Sequence, residues 1–420
     1  MLGHRILTTS RSRTVTTATM LRTKESITPS SSPSTMPQRR FVQPLFKTTR
    51  ALSSSITGSS SSGLKTWPKP MIESNGDYRD EAFLEDFIGG PLYQHQKSLP
   101  RLPIPELPNT LSTFLPTALP LSTSSQERQN LLDACDAFPS QAATLHQRLV
   151  ERKEGEMKDS SWLQHWWNTA GYLQVRDPVV VNVSYFFHFS DDVTLPQNDP
   201  SVSRAIRRGA AILAATAEFR DLVCTGSLPC ETIGRKVKTP LCSTAFKYMF
   251  HACRVPRKEQ DTYRMYDPSQ YGHAVVACKG NFYAVDFLDK HGMALPLETI
   301  QNRLQSCVDS AQAAEEEGNG FHLGSLTSHD RDSWAEAREE LLNKGGESMK
   351  DALERLESGA ILLCLDVDES PITRQQCGNL FWTGGLTSGH NRWFDKSIQI
   401  IVASNGKAGL LGEHSMMDGK

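Results

Sequence analysis

Asn391-Arg392-Trp393-Phe394-Asp395-Lys396-Ser397-Ile398-Gln399-Ile400-Ile401-Val402 is followed by Asn405-Gly406, by Leu410-Leu411, and then by Gly412-Glu413-His414-Ser415-Met416-Met417-Asp418-Gly419. The first part ends in an apolar, β-branched run, and Asn-Gly is the strongest short hairpin signal a chain can carry. The pattern therefore predicts a two-residue hairpin joining Ile398–Ala403 to Leu410-Leu411, with a histidine directly behind it. A free imidazole has a pKa of about 6.5, so His414 can take a proton from a hydroxyl or thiol at neutral pH. Asp418, four residues on, lies one helical turn away or beside the base in a tight turn, and is placed to anchor the imidazole.

Composition narrows the partners. With 38% hydrophobic and 22% charged residues the chain is ordinary for a globular protein, and no apolar run is long enough to span a bilayer. Residues 1–70 carry 11 Lys/Arg and one acid, whereas the rest carries 34 basic and 46 acidic residues. An acidic body offers no basic stripe to neutralise phosphates, which argues against nucleic acid as a partner. No Gly-rich phosphate fingerprint is present, so a nucleotide-bearing ligand must be held some other way. The nine cysteines are scattered without a Cys-x-x-Cys pair. Neither a disulfide framework nor a zinc site is suggested, and a reducing compartment fits. Residues 1–65, rich in Ser, Thr and Arg and nearly free of acids, have the composition of a mitochondrial transit peptide. A disordered tail is the alternative, and internal starts at Met20 or Met36 would leave a cytosolic or peroxisomal form.

Residues 86–120 are punctuated by prolines and predict extended chain rather than helix. A helix is expected from about Gln126 to Glu154, and Trp162, Trp166 and Ala170 share a helical face on which Trp166 reads as core. Val179 through Phe189 reads as a buried strand, and Ser203 to Cys224 as an alanine-rich helix. Ala274–Ala277 and Phe282–Phe287 flank a hairpin signal, Lys279-Gly280-Asn281. Further helices are expected at 298–317 and at 330–344, the second stopped by Gly345-Gly346 before another to Glu357. Ile361–Leu365 reads as a core strand. The class is α/β or α+β with a mixed sheet.

The hairpin-and-histidine stretch, with Leu99-Pro100-Arg101-Leu102-Pro103-Ile104-Pro105-Glu106-Leu107 far upstream, resembles the two signature regions of the carnitine/choline acyltransferase family. Trp162 to Tyr172, Pro240-Leu241-Cys242, Cys253-Arg254-Val255-Pro256, and Leu326-Thr327-Ser328 through Trp334-Ala335 resemble it in order and spacing. The likeness runs from about residue 88 to 420 and is nearest the fungal carnitine acetyltransferase branch. It implies an α/β fold, a mixed sheet flanked by helices, in one domain over residues 86–420. It also implies that the chain is the N-terminal half of a two-domain enzyme, ending at its catalytic histidine and inactive alone. The absent half would bring the ligands of coenzyme A and the oxyanion donors.

By the same resemblance His414 is the general base that deprotonates the carnitine hydroxyl, or the coenzyme A thiol in reverse, for direct acyl transfer. Asp418 holds the imidazole. Trp167 and Tyr172 match aromatics at the carnitine site, with Gly171 a departure from the usual pattern between them. Coenzyme A is a co-substrate, and no permanently bound cofactor or metal is implied. Arg392 and Asp395 read as ties that hold the strand in place rather than as catalytic groups. Two other readings use the same residues: another His-x-x-x-Asp-Gly acyltransferase that also uses coenzyme A, and an interaction module without activity.

Overall fold

The computed structural model describes residues 64, 67, 69–76, 89–155, 161–193, 203–318 and 322–417. The expected tail at 1–65, Leu64 apart, and Asp418 lie outside the described residues. In chain order the strands are β1 (Met71–Ser74), β2 (Tyr185–His188), β3 (Thr232–Ile233), β4 (Thr239–Pro240), β5 (Ala252–Val255) and β6 (Thr262–Tyr266). They continue with β7 (His273–Cys278), β8 (Asn281–Asp286), β9 (Leu362–Asp366), β10 (Ile398–Ala403) and β11 (Ala408–Gly412). The helices are α1 (Leu107–Ala118), α2 (Ser125–Gly155), α3 (Gln164–Asn168), α4 (Val179–Asn182), α5 (Arg204–Cys224), α6 (Leu297–Glu316), α7 (Arg331–Ser358) and α8 (Arg374–Thr383).

The main sheet is built around β9, which is buried along its whole length and pairs in parallel with β7 on one side and β10 on the other. Antiparallel hairpin partners extend it outward, and β2 adds to β11, giving the order β2-β11-β10-β9-β7-β8. Successive side chains feed two separate cores. Val276, Leu363, Leu365, Ile400 and Val402 pack with Ile206 and Leu213 of α5 and Ile300 and Leu304 of α6. Val275, Leu362, Cys364, Ile401 and Ala403 pack instead with Trp334 and Leu353 of α7 and Leu380 and Phe381 of α8. A sheet covered on both faces needs apolar residues at consecutive positions, which Ile361–Leu365 and Ile400-Ile401-Val402 supply. The result is an α/β fold with a mixed sheet flanked by helices.

Local signals set several element ends. The Ser203 hydroxyl accepts from the Ile206 N–H at the start of α5, and Thr373 with Gln376 forms a reciprocal capping box on α8. The expected break in α7 appears as a kink at Gly346, with φ 57°. Arg392 and Asp366 form a buried fork, with Nη2 to Oδ2 at 2.7 Å and Nη1 to Oδ1 at 3.0 Å. Arg392 also donates to the Leu380 carbonyl. It thus ties the end of β9 to α8, the structural role expected of it.

Four expectations are corrected. The proline-rich entry contains α1, because Pro108 occupies its first turn, where no N–H partner is required, and only residues 100–106 remain extended. Val179–Phe189 is not one buried strand. It divides into the single turn α4 and the half-exposed β2, which has a partner only in β11 and leaves Phe187 52% exposed. The β10–β11 connection has three residues, Ser404–Gly406, since the Ala403 N–H bonds the Lys407 carbonyl and Gly406 takes φ 82°. That is the three-residue hairpin with a left-handed last residue, an alternative to the two-residue turn. Trp166 is not core: it is 42% exposed, with the Arg152 guanidinium 4.5 Å over its ring. Its ring lies against α2 through that guanidinium.

A second sheet, β1-β6-β5, is antiparallel throughout. Glu73 on β1 accepts from Arg264 Nε at 2.8 Å, Arg257 Nη2 at 2.6 Å and the Thr262 hydroxyl. Burial pushes this carboxyl up, but the Thr262 hydroxyl and the two arginines overcome it and bring it from 4.5 to about 2. A depressed carboxyl stabilises the fold above its unfolded value, and that contribution fades as pH falls from 4.5 towards about 2. Glu73→Gln should therefore lower stability by about 1.5–3 kcal/mol at neutral pH, the scale of hydrogen bonds to charged groups. Denaturant titrations across this pH range should show the gap between variant and parent closing at the acid end.

Candidate active site

β11 brings the chain across the sheet and stops at Gly412, which lies opposite Tyr185 of β2. A side chain here would meet the Tyr185 ring, since a Cβ would stand 2.6 Å from Cζ, so glycine lets that ring lie against the strand end. The Glu413 N–H then bonds the Ser397 carbonyl at 3.1 Å. Its carboxylate turns inward and accepts from Arg254 Nη1 at 3.1 Å, the Ser415 N–H at 3.1 Å and the Ser415 hydroxyl. Met416 and Met417 are buried in the core. Between Leu411 and Met417 every residue is buried except His414, whose side chain alone faces outward.

Two phenol rings stand edge-on to that imidazole. Tyr172 lies 5.4 Å from it and Tyr185 5.2 Å, centroid to centroid. Trp167 stands 6.3 Å beyond Tyr172 and is 59% exposed, so it forms the open rim. Phe187 is 5.6 Å beyond Tyr185. Tyr172 belongs to a π-helical turn, Thr169–Leu173, a local widening of the helix that often marks functional segments. The structure thus lines up His414, Tyr172 and Trp167 as neighbouring rings.

Arg254 fixes both sides of this pair. Besides Glu413, it donates from Nη2 to the Tyr172 carbonyl at 2.9 Å and from Nε to Asp261 Oδ2 at 2.7 Å. Arg331 Nε bonds the same Asp261 oxygen at 2.6 Å, and Arg176 Nη2 takes Oδ1 at 2.9 Å. Arg331 Nη1 stands 2.8 Å from Asp395 Oδ1 as an ion pair without hydrogen-bond alignment, while Trp334 Nε1 donates to Oδ2 at 2.7 Å. Burial pushes the Asp395 carboxyl up despite Arg331 and Trp334. At Asp261 burial acts in the same sense, but Arg331 and then Arg254 overcome it and hold the carboxyl below its ordinary value.

Tyr185, Glu413 and Arg254 were not singled out for the site from the sequence. Tyr185 was read as part of a buried strand, and Arg254 only as part of a motif. The adjacency of an acid to His414 was the one available signal for Glu413. His251 is engaged away from this site. Burial pushes His251 well below its ordinary pKa, and the neutral ring accepts from Arg220 at Nε2 and donates from Nδ1 to the Ser358 carbonyl. Among the described residues no three His, Cys, Asp or Glu side chains gather as a metal site, and no helix is long and apolar enough to cross a membrane.

A half-buried imidazole at a strand end, walled by phenols, is an arrangement that can take a proton from a bound hydroxyl or thiol. Residues 102–420 match the family model described as choline/carnitine O-acyltransferase. The chain belongs to that family. It is 33% identical to the mitochondrial carnitine O-acetyltransferase of Saccharomyces cerevisiae, over 79% of this chain and 48% of that protein. It is 30% identical to the human carnitine O-acetyltransferase over 77% of this chain and 51% of that protein. The mitochondrial carnitine O-palmitoyltransferase 2 of Xenopus tropicalis is 29% identical over 78% of this chain and 51% of its own length. The chain spans about half the length of these curated acyltransferases.

Removing Arg254 takes from the buried Glu413 the guanidinium it faces, and leaves Asp261 with Arg331 and Arg176. Arg254→Met should cost about 3–5 kcal/mol in urea unfolding, as breaking a buried pair from one side does. A change within about 0.5 kcal/mol, typical of a surface site, would show that the bridge is not under tension.

Proposed function

We propose that this chain contributes the general base and one wall of the carnitine site to an enzyme that moves a short acyl group between coenzyme A and the carnitine hydroxyl. The observation that carries the reading is the outward-facing His414, edge-on to Tyr172 and Tyr185 within a fully buried strand end. In the forward direction the imidazole takes the hydroxyl proton as the oxygen attacks the thioester carbonyl. The tetrahedral intermediate collapses with loss of the coenzyme A thiolate, which recovers the proton from the imidazolium. The reverse reaction uses the same base on the thiol, so no covalent enzyme intermediate is needed.

Trp167 and Tyr172 are proposed to meet carnitine, an indole face suiting a quaternary ammonium and a phenol suiting a carboxylate. Asp418 is proposed to hold the imidazole, as carboxylates do in comparable pairs. Residues 86–420 are proposed to form one acyltransferase unit. Coenzyme A enters as co-substrate, with no resident cofactor. Acetyl is the acyl group favoured by the names of the two carnitine O-acetyltransferases.

In the protein that carries this chain, His414→Ala should lower acetyl transfer to carnitine by about 10²–10⁴-fold without changing the melting temperature. Thiol release from acetyl-CoA measures it, and activity within a few-fold of the parent rejects the assignment. In the same assay Tyr172→Phe should raise the KM for carnitine more than that for acetyl-CoA; equal effects would indicate packing alone.

Mitochondrial residence is proposed from the unbalanced basic charge of residues 1–70 and from relatives named mitochondrial. A reporter fused behind residues 1–65 should co-localise with mitochondria, and a diffuse cytosolic signal would remove this claim.

A further inference from the structure

We propose that Cys230 and Cys242 are a reversible disulfide site across the β3–β4 ribbon. The register pairs Thr232 with Pro240 and Ile233 with Thr239. One step outward the Leu241 N–H donates to the Glu231 carbonyl at 2.9 Å, so residues 231 and 241 stay opposite as a hydrogen-bonded pair. The next step sets Cys230 opposite Cys242 as a non-hydrogen-bonded pair. Such pairs bring Cα atoms to about 4.5 Å and Cβ atoms to about 4.5–5.5 Å. Disulfides occur at Cα separations of about 4.4–6.8 Å and Cβ separations of about 3.5–4.5 Å, so closure asks for little backbone movement.

The sulfur positions agree with this register. Cys230 Sγ lies 3.5 Å from the Leu241 carbonyl oxygen and 3.8 Å from the Ser243 hydroxyl, the residues on either side of Cys242. Neither cysteine is in a disulfide; Cys242 is exposed and Cys230 half-buried. Cys135, Cys253, Cys278, Cys307, Cys364 and Cys377 are buried, and burial pushes the half-buried Cys224 up to about 11. The ribbon pair is therefore where an oxidant in solution meets two neighbouring thiols.

The oxidant is a small-molecule disulfide of the glutathione type. The Cys242 thiolate attacks one of its sulfurs, forming a mixed disulfide and releasing one small thiol. The Cys230 thiolate then attacks Cys242 Sγ and releases the second. One disulfide is reduced to two thiols while two protein thiols become one disulfide, and the two protein protons end on the leaving thiols. Exposed bonds of this kind sit at the labile end of the potential scale.

Oxidation also has a structural readout. In the reduced protein the Gln96 side chain clamps this corner, donating to Cys242 Sγ at 3.2 Å and accepting from the Ser243 N–H at 3.0 Å. Drawing Cys242 Sγ towards Cys230 opens the first of these bonds. Gln96, Leu241 and Ser243, which meet the two thiols, are not among the residues placed around His414, so the test is independent of the acyl-transfer reading.

The native protein is incubated with glutathione disulfide, free thiols are alkylated under denaturing conditions, and the digest is mapped by mass. Trypsin cuts at Arg235, Lys236 and Lys238, so the bridge appears as two peptides joined through Cys230 and Cys242. Expected are that linked species, loss of both cysteines from the alkylated pool, and full reversal by dithiothreitol. Cys230→Ser should instead trap glutathione on Cys242. A stable glutathione adduct on Cys242 in the parent, both cysteines still alkylated, or a bridge to another cysteine would overturn the proposal.

Discussion

The interaction on which the rest depends is a buried run of alternating charges. Glu413, Arg254, Asp261, Arg331 and Asp395 stand in contact one after another. None is more than 1% exposed. An ion taken out of water alone costs several kcal/mol, so these groups are tolerable only when all are in place. They come from separate segments: the end of β11, strand β5, the turn into β6, the start of α7 and the turn before β10. The array therefore makes docking of these elements conditional on one another. Apolar residues of similar volume often stabilise a core as well or better. Register is thus what we read the array as supplying.

That register decides where the imidazole stands. Arg254 and Glu413 are 159 residues apart, and their contact fixes the strand end that carries His414. The same guanidinium holds the Tyr172 carbonyl, so the imidazole and the facing phenol share one anchor. Glu413 also captures Ser415, so the backbone is clasped on both sides of the one residue that turns outward. Sheet geometry adds the second phenol, because β2 pairs with β11 and sets Tyr185 beside Gly412.

Much of this was legible in the chain. Consecutive apolar runs at 361–365 and 400–402 announce buried strands, and Ser203, Lys279-Gly280 and Gly345-Gly346 mark element boundaries correctly. His414, Tyr172 and Trp167 stand out in the chain through a family resemblance, and in the fold Tyr172 lies between the other two rings. What stayed hidden depends on tertiary neighbours. Proline content in residues 86–120 argued against helix, yet position within the first turn decided the outcome. An apolar segment such as Val179–Phe189 looks the same whether it ends at a sheet centre or at an edge. Arg254 and Asp261 are ordinary charges in sequence, and only the fold shows that water is excluded from them.

The claim that the buried array positions the base is tested most directly by the turnover of Glu413→Gln in the protein that carries this chain. Gln keeps the volume but loses the charge facing Arg254, and its single oxygen cannot serve both Arg254 and Ser415 as Oε1 and Oε2 do. The account predicts that kcat for acetyl transfer falls about 10–100-fold, the usual cost of losing a group that orients a functional side chain, while the carnitine KM stays within about twofold. A kcat equal to the parent's, alongside an inactive His414→Ala protein, would contradict it: the histidine would be the base, and the array would have no part in placing it.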